Sequence, residues 1–290
     1  MKSIDEKRPC TLKTALVVEG GAMRGIFSAG VLDTFIRERF DPFDILIGVS
    51  AGAGNIAAFL ADMYRRNYKI YTDYSLRPEF MSWKKFLAGG NLINLDWLWK
   101  MTIRDVRLDL KKIFGKKKVF LIVATSVETG RAVYLQPDET TCEEYLKVSS
   151  ALPFLYRTFP KVNGEKMTDG GIADSIPVIE AYRRGARTIM VLRSRPSDYV
   201  KKNSPATALY AALLRKYPNL SRAMRARAGA YMKSVAFINH PPPGVTVVDV
   251  CPPDGFETAR LTKNLSVLER DYRIGRQEGT RAIERWNEAC

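Results

Sequence analysis

The sequence predicts an α/β fold: a parallel-rich central sheet sandwiched by helices, with an apolar cap insertion and a basic helical appendage. Three observations carry this expectation. Short apolar, β-rich runs alternate with stretches of helical period. The first two strands each run into a glycine-containing turn that opens a helix. No apolar run approaches the roughly 18 residues that a transmembrane helix needs.

The elements follow in order. Thr14 to Val18 reads as a strand, Gly25 to Arg39 as a helix, Asp44 to Val49 as a strand and Ala51 to Arg65 as a helix. Later strands fall at Val119 to Thr125, Arg187 to Leu192 and Val245 to Val250, and a charged helix closes the chain from Leu261 onward. The 290 residues suit two domains or one α/β domain with a helical addition. The expected division is a catalytic α/β core over 1–200, interrupted at 71–118, and a segment over 201–290 packed on the same domain. That segment holds a basic helix, a further strand and the C-terminal helix.

Two stretches break the alternation. Between 71 and 118 the chain concentrates Trp83, Trp97 and Trp99 with Phe80, Met81, Phe86 and Leu98. Such side chains fit either core packing or an apolar lid or acyl channel. Between Lys201 and Lys233 there are eight cationic side chains and no acidic one. Met224, Ala228, Tyr231 and Val235 form an apolar stripe there, so the stretch reads as a basic amphipathic helix. A solvated helix face and an anionic surface as partner are both open.

Composition narrows the partners. Lys and Arg number 46 against 31 Asp and Glu, a formal charge of +15, which fits an anionic membrane surface or nucleic acid as partner and equally a merely solvated basic surface. Cys10, Cys142, Cys251 and Cys290 are scattered without a C-x-x-C pair, arguing against a disulfide framework and a zinc site. Met1 to Lys13 carries charges without an apolar core, so no signal peptide is expected. The expected setting is the reducing cytoplasm, with any membrane contact peripheral. The single histidine, His240, precedes Pro241, Pro242 and Pro243, which limits histidine-based chemistry.

The chemistry-bearing residues stand at the strand ends. Gly48-Val49-Ser50-Ala51-Gly52 is G-x-S-x-G between a strand and a helix, the pattern that raises a serine on a sharp turn. Gly48 and Gly52 are small because side chains there would collide with the helix and the strand. A capping serine on a glycine-rich turn is the plainer alternative. Gly20-Gly21-Ala22-Met23-Arg24-Gly25 opens the preceding helix. Ala22 stands where a dinucleotide fingerprint wants glycine, and Ile26 where a phosphate loop wants lysine, so both nucleotide readings weaken. Backbone amides forming an oxyanion hole fit better, with Arg24 setting the loop or meeting a phosphate. Asp169-Gly170-Gly171 alone would be a turn. Beside an exposed nucleophile it supplies a candidate base, and His240 is the rival.

These blocks, with Ser149-Ser150-Ala151-Leu152-Pro153 between them, resemble the patatin-like phospholipase family, most closely its bacterial branch, over about Ala15 to Pro177. The resemblance implies a three-layer fold and a Ser50–Asp169 dyad. It implies an oxyanion hole from the amides of Gly20, Gly21 and Ala22, with Arg24 as the family's basic residue. It also implies a lipid or phospholipid substrate and no metal or other cofactor. Gly25, Gly48, Gly52, Gly170 and Gly171 are its supporting glycines. Ala22 departs from the pattern, since the family usually has a third glycine there. A basic membrane- or nucleic-acid-binding module with an idle hydrolase site is the alternative, with nucleic acid the less favoured partner. It requires binding that weakens steeply with salt and survives loss of Ser50.

Overall fold

The computed structural model describes residues 13–289. Cys10, Cys290 and the charged N-terminal stretch before Lys13, on which the signal-peptide expectation rests, lie outside the described residues. In chain order the first half comprises β1 (Lys13–Val18), α1 (Ile26–Arg37), β2 (Ile45–Val49), α2 (Ala51–Leu60), α3 (Arg66–Thr72), α4 (Trp83–Leu87), α5 (Leu95–Asp105), α6 (Leu110–Gly115), β3 (Val119–Ser126) and β4 (Ala132–Leu135). The second half comprises α7 (Cys142–Ser149), β5 (Lys161–Val162), β6 (Glu165–Asp169), α8 (Val178–Arg183), β7 (Ala186–Leu192), α9 (Pro205–Leu213), α10 (Pro218–Asn239), β8 (Thr246–Val250) and α11 (Leu265–Ala289).

The strands form one eight-stranded sheet in the order β5-β6-β3-β2-β1-β7-β8, with β4 also paired to β3. The five strands from β3 to β8 along this path run parallel, and β4, β5 and β6 add antiparallel pairs at the β3 edge. Side-chain alternation along each strand divides the apolar residues between two faces. Leu16 and Val18 of β1 join one core with α1, α2 and Trp286 of α11. Ala15 and Val17 join the other with α8 and the Tyr231, Val235 and Ile238 side of α10. Helices therefore cover both faces, giving three layers.

The basic segment belongs to one of those layers. All four residues of its apolar stripe, Met224, Ala228, Tyr231 and Val235, are buried. On the opposite face α1 and α11 cross closely: a Cβ on Gly30 would lie 2.4 Å from Tyr272 O, and one on Gly275 2.2 Å from Phe27 O.

Most expected boundaries shift by one or two residues, and three differences at the helix ends have a local reason. Before α1, Ala22–Gly25 forms a separate 3₁₀ turn. The helix expected over Ala51 to Arg65 stops at Leu60, because Asp62 and Arg65 take positive φ of 50° and 60°. The C-terminal helix starts at Leu265 rather than Leu261, where Asn264 Oδ1 accepts from Val267 N at 3.3 Å. That shift leaves Arg260 and Leu261 in a loop beside the first glycine-rich turn, where Met23 N donates to Arg260 O.

Candidate active site

The parallel register aligns the C-terminal ends of β1, β2 and β7: Val18 lies opposite both Gly48 and Leu192. Ligand sites of open parallel sheets form at this edge. Ser50 follows β2 with φ 53° and ψ −124°, a conformation sparsely populated for a side-chain-bearing residue. Close packing enforces both flanking glycines. A Cβ on Gly48 would stand 2.4 Å from Ala53 Cα, and one on Gly52 2.4 Å from Val18 O. The turn is held from below by Ser149, whose Oγ accepts from Ser50 N at 2.7 Å and donates to Val123 O at 2.6 Å.

The first glycine-rich turn lies against this elbow. A Cβ on Gly20 would come within 2.8 Å of Val49 O and 3.1 Å of Ser50 Cβ, so only glycine permits the approach. Among the described residues the N–H groups of Gly20 and Gly21 have no acceptor. Ala22 holds φ 49°. A glycine adopts that left-handed conformation freely, whereas alanine bears about 1 kcal/mol of strain.

Arg24 is turned toward β7 and sets the loop. Its Nε donates to Ser194 O at 3.1 Å and its Nη2 to Ser194 Oγ at 3.2 Å, while Glu19 Oε2 accepts from Ser194 N at 2.7 Å. Burial lowers the Arg24 pKa to about 10, which leaves it cationic. Gly25 packs against Tyr71, whose hydroxyl would lie 2.3 Å from a Cβ there. Its carbonyl accepts from Asn55 Nδ2 at 2.7 Å, which ties α2 to the loop.

Asp169 ends β6 opposite Ala124 of β3, one residue past the Val49–Val123 pair. Its Oδ1 accepts from Gly171 N at 2.7 Å, and its Oδ2 is buried with no hydrogen-bond partner among the described residues. Burial raises its pKa above the ordinary carboxylate value. The Ser50 hydroxyl, the Gly171 N–H, Arg227 and Arg260 offset this in part. Gly170 permits a close strand approach, since a Cβ there would be 2.2 Å from Val123 O. A Cβ on Gly171 would meet Asp169 Oδ1 at 3.0 Å. His240 is exposed at the C-terminal end of α10 and borders neither cavity at Ser50.

Two cavities meet at Ser50. One, of about 150 Å³, is apolar and receives Phe80, Ile93, Leu98 and Trp99 from the 71–118 insertion, with Leu146 and Leu155. Within that insertion Trp83 is exposed while Tyr74, Met81, Leu92 and Leu95 make a core of their own. The insertion thus serves both as packing and as cavity wall. The other cavity, of about 50 Å³, is bordered by Gly20, Gly21, Ala22, Arg24, Ser50, Asp169 and Gly171. Arg195, Lys201, Arg227 and Arg260 also face it. Sequence reasoning counted Lys201 and Arg227 in the basic segment without placing them at Ser50, and it singled out neither Arg195, Arg260 nor the role of Ser149. Arg227 carried a usable signal, standing four residues before Tyr231 on the inward side of the helix. Arg260 carried none. Among the described residues no three His, Cys, Asp or Glu side chains gather where they could hold a metal ion.

A strained serine thus stands between a glycine-rich turn and a buried aspartate at the C-terminal edge of a parallel sheet. The Patatin-like phospholipase family model matches residues 16–182, and the chain belongs to that family. A domain of unknown function, DUF6363, matches residues 217–290. The chain is 35% identical over 271 residues to the uncharacterized protein YjjU of Escherichia coli K12, covering 91% of this chain and 75% of that protein. It is 28% identical over 196 residues to the lysophospholipase NTE1 of Saccharomyces cerevisiae, covering 63% of this chain and 11% of the yeast protein. NTE1 of Candida glabrata is 27% identical over 190 residues, covering 61% of this chain. The chain spans about a tenth of that relative's length. Among solved structures, VipD of Legionella pneumophila covers 94% of this chain and 67% of its own at 14% identity and a TM-score of 0.44.

Proposed function

We propose that this chain hydrolyses carboxylic ester bonds of lipids through a Ser50–Asp169 dyad and an acyl-enzyme intermediate. The observation that carries this is the setting of Ser50, strained, beside the unpartnered Oδ2 of Asp169 and at the mouth of a 150 Å³ apolar cavity. Asp169 takes the hydroxyl proton as Ser50 Oγ bonds to the acyl carbon. The amides of Gly20, Gly21 and Ala22 receive the oxyanion. The carbon–oxygen bond to the alcohol then breaks, and Asp169 returns the proton to the departing alkoxide. Water, deprotonated by the same carboxylate, releases the fatty acid and restores the serine.

An unperturbed aspartate, with a pKa of about 3.9, is a weak base. Burial of Asp169 opposes that weakness, and proximity to Ser50 supplies the rest. The substrate class proposed is phospholipid or lysophospholipid, in keeping with the family and with what the NTE1 relatives are named for. The proposed setting is cytoplasmic, peripheral to an anionic membrane. The +15 charge supports that setting, as do Leu209, Tyr210 and Leu213, exposed on α9 near Lys202 and Arg215.

Intact-mass analysis after fluorophosphonate treatment tests the mechanism on wild type, Ser50→Ala and Asp169→Asn. One adduct at Ser50, absent from Ser50→Ala and much slower in Asp169→Asn, is expected. A folded wild type that takes no adduct overturns the acyl-enzyme mechanism.

A further inference from the structure

The smaller cavity is charged in a way that hydrolysis of an ester does not by itself require. Five cationic side chains, Arg24, Arg195, Lys201, Arg227 and Arg260, face it with only Glu19 and Asp169 as carboxylates. Arg24 is held by Ser194, and Glu19 accepts from Ser194 N, so both are occupied with the loop. Arg195, Lys201, Arg227 and Arg260 have no ion-pair partner among the described residues. Arg193, next to Ser194 in the chain, does have one, reaching Asp249 at 3.1 Å. Lys201 Nζ lies 4.6 Å from the Tyr231 ring and Arg195 Cζ 4.6 Å from the Tyr199 ring, contacts that orient a cation without neutralising it. Arg227 donates through Nε to Gly171 O at 2.6 Å, which fixes its position next to the Asp169 turn.

Gathering several cations in one partly buried cavity is unfavourable unless an anion completes it. Position identifies whose anion it is. Asp169 must hand its proton to the departing alcohol, so the alcohol lies on the Asp169 side, which is the side of the cationic cavity and not of the apolar one. Resting on the hydrolase reading above, we infer that this cavity binds a phosphate monoester on the substrate's alcohol. Acyl esters of glycerol phosphate are then preferred to zwitterionic or neutral lipids. A choline or ethanolamine group would add a cation where cations already crowd. The same geometry couples recognition to chemistry. Arg227 and Arg260 hold down the basicity of Asp169, and a bound dianion offsets them, so the right substrate strengthens the base that acts on it.

The test compares three substrates with one acyl chain, below their micelle concentrations: 1-octanoylglycerol 3-phosphate, 1-octanoylglycerophosphocholine and 1-octanoylglycerol. Wild type is expected to favour the phosphate monoester at least tenfold in kcat/KM. Lys201→Met and Arg260→Gln should each cut that preference about tenfold or more, as expected when a charge-assisted hydrogen bond is removed. Lys201→Arg should retain most of it. Arg285→Met, exposed on α11 and outside both cavities, should leave it unchanged. Calorimetry with glycerol 3-phosphate and with inorganic phosphate on Ser50→Ala reads the site without turnover. Ester hydrolysis with no head-group preference overturns this inference and leaves the hydrolase standing. Glycerol 3-phosphate binding that Lys201→Met abolishes supports the anion site, even if no ester is cleaved and the hydrolase proposal falls. Inorganic phosphate binding as tightly as glycerol 3-phosphate overturns the substrate reading in favour of a free-phosphate site.

Discussion

Ser149 Oγ accepts a hydrogen bond from Ser50 N at 2.7 Å, across 99 residues of chain. Both residues are buried, and the hydroxyl also donates to Val123 O, so the bond joins the nucleophile's turn to the neighbouring strand. A backbone held at φ 53° persists only where its surroundings over-determine it. Ser149→Ala removes the acceptor of a buried N–H. The expected cost is about 1–3 kcal/mol by urea denaturation, because the group is left unsatisfied rather than rehydrated. Fluorophosphonate labelling at Ser50 should slow about tenfold in the folded variant. Unchanged labelling with unchanged stability would show that α2 and the flanking glycines suffice.

The pH profile follows from two groups of opposite sign. Asp169 acts in its ionised form, and its pKa lies above the ordinary carboxylate value because it is buried. Activity should therefore rise with pH along an acid limb shifted upward from that of an exposed aspartate. Lys201 acts in its protonated form. Burial and the facing Arg227, Arg260 and Arg24 lower its pKa to about 7, with Glu19 opposing. For a phosphate monoester substrate, kcat/KM should fall as pH rises through about 7. Lys201→Met should erase this alkaline limb and keep the acid one. A profile in which the variant loses the acid limb instead would reverse the two assignments.

Away from the site, Asp33 ties α1 to α11 by accepting from Tyr272 Oη at 2.6 Å, and it also accepts from Arg65 N at 3.0 Å. Burial raises its pKa from 3.8 to about 6 in spite of both bonds. A carboxylate whose pKa is higher in the folded state stabilises when protonated. Its contribution is complete below about pH 4 and is lost as pH rises through about 6. The difference corresponds to about 3 kcal/mol. Compared with wild type by urea denaturation at pH 4.5 and 7, Asp33→Asn should gain relative stability toward pH 7. An equal difference at the two pH values would mean that Asp33 titrates normally.

How much of this was legible in the sequence depended on whether a residue's role is set by its neighbours in chain or in space. Gly48 was legible because the strand–turn–helix around Ser50 excludes any Cβ, a constraint that lies within five residues, whereas Gly52 was legible only through its spacing from Ser50, since the atom that excludes its Cβ is Val18 O of the neighbouring strand. Asp169 was legible only alongside that serine. Positive φ at Asp62 and Arg65 leaves no such mark, since neither residue is glycine, and the helix boundary at Leu60 went unseen. The basic run from Lys201 was visible as charge and as an amphipathic stripe. That Arg227 and Lys201 turn inward to Ser50 depended on how α10 covers the sheet, a tertiary fact. Arg260 reaches the same cavity from a loop about 90 residues past Asp169, and no local pattern announces it.

The apolar cavity offers a variant whose stability and activity should move in opposite directions. Gly54 lies inside α2 and borders that cavity, and a Cβ built on it meets nothing within 4 Å. Gly54→Leu therefore adds a side chain to open space while replacing the poorest non-proline helix former. The helix should gain about 0.5–1 kcal/mol. The added isobutyl group occupies volume that an acyl chain would fill. Turnover of palmitoyl esters should fall at least tenfold, mainly through KM, while butyryl esters keep most of theirs. Gly54→Ala should show the stability gain with little loss on either chain. A uniform loss on short and long esters would mean instead that the new side chain disturbs the Ser50 turn four residues away, and the acyl chain would then have to lie elsewhere.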